Sequence, residues 1–266
     1  MSLKFCSLSS GSSGNCYLIG SDDTFLLVDA GITCKRITDG LSDLNLTPEM
    51  ISGVLITHEH VDHIKGAEVL SRKYDIPLFT NEKTGAEVLR LMKKTEGVSL
   101  RYFENSRPFT LGNIDIMPFP VCHDAVDAVG FSLYCGNSQI STATDTGCIT
   151  PEMMTEIAGA DLLVLEANHD EDMLKMGKYP WFLKQRILSA HGHLSNEAAG
   201  QAIAQLSEYN PKQRQILLAH LSRENNFPEM AFETVKNVLE ENDMPLGKWL
   251  KLNLLRRDEL SPVYVL

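Results

Sequence analysis

The spacing of apolar positions changes repeatedly along this chain, and each change marks an element. Residues 3–9 alternate with period two, as a half-buried strand does, and residues 16–19 form a second strand. Residues 25–31 and 53–57 are short apolar runs with β-branched content, the pattern of buried strands. Between them Ile37, Leu41 and Leu44 recur at helical spacing, which predicts a helix over 33–44 with one buried face. Helices over 67–74 and 82–95, separated by a short strand at 77–80, continue the alternation. Strands alternating with helices predict an α/β fold.

The period then drops to two. Strands are expected over 100–104 and 109–121, with Gly112-Asn113 between them as a hairpin turn, and a further hairpin pairs 129–135 with 139–144 around Gly136-Asn137. Pro151 suits the first turn of a helix, 162–165 is a buried strand, and helices follow over 182–188 and 195–207, the latter capped by Ser195. Residues 215–219 form the last clear core strand, 232–241 a closing helix and 262–266 an edge strand. No linker, charge block or low-complexity tract interrupts residues 1–266, so a single domain is expected.

Composition narrows the setting. The 266 residues are 43% hydrophobic, ordinary for a globular core, and six scattered cysteines without a CxxC pair read as reduced thiols. The start lacks the apolar region of a signal peptide and no apolar run has the length of a membrane span, so a cytoplasmic protein without membrane association is expected. A net charge of −11 argues against gripping long nucleic acid by charge alone. It leaves room for phosphates at a metal centre, where bound cations reverse the local sign.

The chemistry concentrates at strand ends. The strand at 53–57 runs directly into His58-Glu59-His60-Val61-Asp62-His63. From an extended backbone His58 and His60 point the same way, while Asp62 and His63 fall on the next turn and can reach a second ion. Later strands end at His123, at Asp145 and at His220. Together these residues supply His58, His60 and His123 for one ion, Asp62, His63 and His220 for another, and Asp145 as a bridge. Imidazoles and carboxylates suit two divalent ions, whether zinc, manganese or iron. Two such ions can hold a hydroxide between them and stabilise both attacking and leaving oxygens, which is hydrolytic equipment. Asp29, at the end of the strand at 25–31, is placed to orient a ligand histidine.

The HxHxDH motif with these later positions resembles the metallo-β-lactamase superfamily, over almost the whole chain. The resemblance implies a four-layer αββα sandwich with two mixed β-sheets. Asp145 stands where antibiotic-degrading members have cysteine, and His60 where oxygen-reducing di-iron members have glutamate, so neither activity is favoured. Leu165-Glu166-Ala167, Gly192-His193-Leu194-Ser195 and Ala219-His220-Leu221-Ser222-Arg223 are similar to motifs of the tRNA 3′-processing endonucleases, in which a glutamate and histidine pair protonates the leaving oxygen. The loop at 10–15 and the stretch at 166–170 resemble the WalJ/YycJ subgroup, regarded as 5′-to-3′ DNA exonucleases.

The resemblance makes Asp62, Glu166 and His193 the candidate catalytic residues, with His193 as acid and Glu166 as its orienter. Ser10, Ser12, Ser13 and Asn15 of the serine-glycine loop, with Arg223, Asn225 and Asn226, are the candidate contacts to a terminal phosphate or flanking backbone. His169 and His191 read as ordinary loop histidines. The leading expectation is a phosphodiesterase acting on DNA ends, with nucleic acid as partner. The alternatives are a small-molecule hydrolase for a thioester, lactone or cyclic phosphate, and a metal-stabilised binding module without catalysis.

Overall fold

The computed structural model describes residues 2–247 and 249–266, so Met1 and Lys248 of the expected domain lie outside the described residues. In chain order the first half holds β1 (Lys4–Ser9), β2 (Cys16–Gly20), β3 (Phe25–Val28), α1 (Cys34–Asp43), β4 (Ile51–Leu55), α2 (Val61–Ile64), α3 (Ala67–Tyr74), β5 (Leu78–Thr80), α4 (Glu82–Leu91), β6 (Leu100–Tyr102), β7 (Phe109–Leu111), β8 (Ile114–Pro120) and β9 (Val129–Cys135). The second half holds β10 (Ser138–Ala143), α5 (Pro151–Ile157), β11 (Leu162–Glu166), α6 (Glu171–Met176), α7 (Trp181–Ile187), α8 (Asn196–Tyr209), β12 (Arg214–Ala219), α9 (Pro228–Glu241), β13 (Leu250–Leu254) and β14 (Tyr264–Val265). Helix starts follow the capping chemistry of the sequence: Thr33, Asn81, Thr150, Asp170 and Ser195 each accept a backbone N–H of the first turn.

The chain divides into two compact units. One runs to Pro120 and adds Ala125–Ser138 and Arg256–Leu266; the other comprises Val121–Asp124 and Gln139–Leu255. The strands fall into two sheets, flanked by helices. The first sheet, ordered β14-β1-β2-β3-β4-β5-β6, lies wholly in the first unit. It is mixed: β14, β1, β2 and β3 pair antiparallel, and β3 to β6 pair parallel. To the second sheet the first unit contributes the antiparallel run β7-β8-β9 and the second unit the parallel run β10-β11-β12-β13.

In the first unit, Leu8, Leu18, Leu27, Val54 and Leu78 of the sheet pack with Ile37 and Leu41 of α1, Leu70 of α3 and Val88 of α4 in one buried cluster. Burying these side chains stabilises the fold by roughly 1.5–3 kcal/mol each. The two sheets meet within this unit through aromatic rings, with Phe79 stacked 6.0 Å from Phe109 and Phe103 edge-on to Phe131 at 5.6 Å. In the second unit the helical core is small-residue packing: a Cβ at Gly200 of α8 would come within 2.8 Å of Val238 of α9.

Among the elements that periodicity missed are a helix and a strand. The α6 helix has its signal in the Asp170 cap, the acidic first turn Glu171-Asp172 and the Lys175 to Glu171 pair at 2.7 Å. The β13 strand shows alternating burial along Leu250–Leu254, a period-two run too short to stand out.

Candidate metal centre

Each unit carries its own donor cluster at the carboxyl ends of parallel strands. In the first unit β3 and β4 pair in register, Val28 opposite Leu55, so Asp29 and Thr57 emerge side by side. Asp29, just past the end of β3, is fully buried and adopts a left-handed backbone conformation, φ 60°. It accepts hydrogen bonds from the Thr57 N–H at 2.9 Å, the Thr57 hydroxyl at 2.9 Å and His63 Nδ1 at 2.7 Å. Thr57 Oγ1 in turn accepts from His58 Nδ1 at 2.9 Å. With Nδ1–H committed on both rings, Nε2 carries the lone pair on His58 and His63.

Asp62 and His63 lie on α2, a single helical turn for which His60 is the N-cap. The ring centroids of His58 and His60 are 4.7 Å apart, those of His58 and His63 are 4.1 Å apart, and Asp62 Oδ2 lies 3.7 Å from His63 Nε2. The serine-glycine loop is bolted to this cluster through buried Asn15. Its N–H donates to the Asp62 carbonyl at 2.8 Å, its Oδ1 accepts from the Gly11 N–H, and its Nδ2 approaches His63 Nε2 at 3.2 Å. Ser10 is buried against Tyr17, and Ser12 and Ser13 are exposed.

In the second unit β10, β11 and β12 are consecutive parallel strands, with Ala143 opposite Leu165 and Glu166 opposite Ala219. Register therefore delivers Asp145, Glu166 and His220 together. Asp145 and His220 both take left-handed conformations, φ 55° and 56°. Such strain in non-glycine residues costs of order 1–3 kcal/mol each and gathers at functional sites. Glu166 is fully buried and accepts four bonds: Oε1 from His193 Nδ1 at 2.8 Å and His220 Nδ1 at 2.7 Å, Oε2 from the N–H groups of Thr146 at 3.0 Å and Leu194 at 3.2 Å. Burial works against its charge, but the histidines and hydrogen bonds outweigh it and hold the carboxyl well below the usual carboxylate range. For His193 burial favours the neutral ring, and Glu166 overcomes it and raises the pKa.

His123 is oriented by a bond from Nδ1 to the Gly192 carbonyl at 3.3 Å, with Nε2 3.8 Å from Asp145. Burial lowers its pKa, which keeps the ring neutral as a ligand must be. Asp145, Glu166, His193 and His220 each offer a ligand atom within 4.8 Å of the others. Buried imidazoles with fixed tautomers, crowded beside carboxylates, are the donor set of divalent transition metals, and both clusters fit such ions.

The beta-lactamase superfamily domain matches residues 24–221. Exodeoxyribonuclease YycJ of Bacillus anthracis is 40% identical over 253 residues, covering 95% of each chain. Exodeoxyribonuclease WalJ of Streptococcus pneumoniae is 40% identical over 262 residues, covering 98% of this chain and 97% of that one. The chain belongs to the beta-lactamase superfamily, alongside YycJ and WalJ. Among solved structures, the metallo-β-lactamase fold protein YhfI from Bacillus subtilis aligns over 100% of both chains with a TM-score of 0.74 at 19% identity, a likeness of fold.

Within this superfamily member the remaining candidates divide by burial. Arg223 is exposed, whereas Asn225 and Asn226 are buried. The Asn226 amide donates to the carbonyls of Ala167 and Asn168 and pairs with Asn196, and the Asn225 carbonyl accepts from the Asp170 N–H. His191 is exposed, but His169 is 1% exposed and, among the described residues, neither ring nitrogen has a hydrogen-bond partner. Burial pushes its pKa down to about 4. Cys148 is half-buried, as is Cys122, whose thiol is pushed up to about 11 by burial and by Cys148.

Proposed function

We propose that this chain is a dinuclear metal-dependent phosphodiesterase acting on DNA ends in the 5′-to-3′ exonuclease manner, with residues 1–266 working as one cytoplasmic hydrolase domain. The observation that carries the reading is Glu166, whose Oε1 receives the Nδ1–H of both His193 and His220. A hydrolase that only activated water would need the second of these bonds. The first prepares an acid, which phosphodiester cleavage requires because it expels an alkoxide. The 40% identity to YycJ and WalJ, named as exodeoxyribonucleases, supports DNA as the substrate.

In this reading His58, His60, Asp62, His63, His123, Asp145 and His220 are the residues that would hold two divalent ions; zinc, manganese and iron all suit such donors. The ions supply Lewis-acid activation of water and balance charge at phosphorus. The protein's own groups do the rest. Asp29 and Thr57 keep His63 and His58 in their ligand tautomers, and Asp62 serves the nucleophile's side of the reaction. His193, raised in basicity by Glu166, donates a proton to the departing oxygen from Nε2. Ser12, Ser13 and Arg223 meet the nucleic-acid backbone, and Ser10, Asn15, Asn225 and Asn226 shape the loops presenting them.

The test is degradation of 5′-phosphorylated single-stranded and duplex DNA by metal-loaded protein, with manganese and zinc in parallel. Intact DNA under both metals refutes the proposal. His193→Ala is expected to retain its metal and lose about 10²–10⁴ in rate; loss of metal from that variant would reassign His193 as a ligand.

A further inference from the structure

Sequence reading placed phosphate contacts on the serine-glycine loop and on residues just after His220, but the structure brings a distant segment to that loop. Arg256–Leu266 returns to the first unit, and its first two residues lie along the loop. The Ser10 N–H donates to the Arg256 carbonyl at 3.2 Å, and the Ser9 hydroxyl bonds to the Arg257 carbonyl at 2.5 Å. The Arg257 guanidinium lies flat on Gly11, with Nε, Cζ and Nη2 each 3.4 Å from where a Cβ would stand, and Nη1 reaches Ser13 Oγ at 3.4 Å. Gly11 itself has φ +152°, a conformation suited to glycine.

Three links then connect Arg257 to the metal motif. The guanidinium rests on Gly11, the Gly11 N–H donates to Asn15 Oδ1 at 2.9 Å, and Asn15 bonds to the Asp62 carbonyl and approaches His63 Nε2. In a chain of net charge −11, a guanidinium in contact with exposed Ser13, on a loop hydrogen-bonded to the metal motif through Asn15, has the chemistry to receive an anion.

We propose that Arg257, with Ser12 and Ser13, binds one backbone phosphate of the DNA strand entering the metal centre. This rests on the nuclease reading and adds the residue that grips the strand. The contact is made equally in ground and transition states, so its loss falls on KM.

The test compares wild type, R257Q and R257K, all metal-loaded and checked for equal thermal midpoints. One readout is the salt dependence of kcat/KM on single-stranded DNA. The other is binding, by fluorescence anisotropy, of a nuclease-resistant phosphorothioate strand carrying a single neutral methylphosphonate at successive positions. R257Q is expected to raise KM and Kd about tenfold and to lower the log–log salt slope by about 0.7, the value for one phosphate on a single strand. R257K should keep the slope and recover part of the affinity. In wild type one methylphosphonate position should weaken binding about tenfold, and in R257Q that position should cost nothing further. Unchanged slope and Kd in R257Q, or additive effects at every position, overturn the proposal even while wild type degrades DNA. A wild type that neither binds nor degrades DNA overturns the nuclease reading itself.

Discussion

Replacing Glu166 by glutamine changes one atom and disturbs four hydrogen bonds. Both carboxylate oxygens accept, two donors each, in a site closed to water. An amide offers only one oxygen. If that oxygen faces the histidines, the N–H groups of Thr146 and Leu194 meet an NH₂ group and lose their acceptor. If it faces the backbone, His193 and His220 must give up their Nδ1–H tautomers, and the lone pair leaves Nε2. Two buried donors without an acceptor cost about 1–3 kcal/mol each, and loss of the charged partner adds to this, so a destabilisation of about 3–5 kcal/mol is expected. Urea denaturation of the metal-loaded protein measures it.

Catalysis separates the structural from the chemical consequence. Without the carboxylate His193 loses the partner that raises its pKa, and the departing alkoxide loses its proton donor. E166Q should cleave DNA about 10²–10⁴ more slowly. On thymidine p-nitrophenyl phosphate, whose leaving group needs no proton, the deficit should shrink to what residual metal content explains. A folded, metal-replete E166Q with wild-type kcat on DNA would refute the reasoning, and an equal loss on both substrates would confine Glu166 to holding the His220 ligand.

Three further outcomes follow from particular contacts. A Cβ at Gly31 would lie 1.6 Å from the Asp62 carbonyl oxygen and 2.6 Å from the Asn15 nitrogen, so Gly31→Ala should displace the α2 turn at a cost of about 3 kcal/mol or more; unchanged thermal midpoint and metal stoichiometry would count against it. Asp29→Asn should weaken metal binding about 10–100-fold in competition with a chromophoric chelator, because His63 loses its anionic partner. His169, with a folded pKa of about 4, is neutral in the fold but protonates in the unfolded chain near 6.5. Stability should therefore fall as pH drops from about 6.5 to 4, by up to about 3 kcal/mol, and His169→Phe should flatten that slope in urea titrations across the window.

Much of this molecule is local in origin, and local features are legible. The helix at 67–74 and the strands around Gly136 follow from spacing and turn chemistry, and Ser195 caps α8 as its sequence context predicts. Gly112-Asn113 is a hairpin turn, but it joins β7 to β8 within the run expected as one strand, and the strand at 100–104 is β6, which pairs parallel with β5 in the other sheet. The HxHxDH run exposes itself because four donors within six positions follow an apolar strand. The helix at 82–95 ends early, at Leu91, since Met92 turns extended and the Lys93-Lys94-Thr95 tract has nothing apolar to bury. Asp29 could be suspected as an orienter, but its partner could not be named.

What the sequence by itself determined is which residues are candidate donors and that they stand just past strand ends, because both depend on residues a few positions apart. What only the tertiary structure decided is which donors share a partner. Parallel pairing of β11 with β12 sets Glu166 opposite Ala219, so one carboxylate reaches both His220 and His193 across 54 and 27 residues of chain. The return of Arg257 to a loop 244 residues earlier is likewise a matter of strand order, since β14 pairs with β1. Hydrogen bonds between such remote residues leave no period or spacing to read, because the sheet, and not the local chain, brings them together.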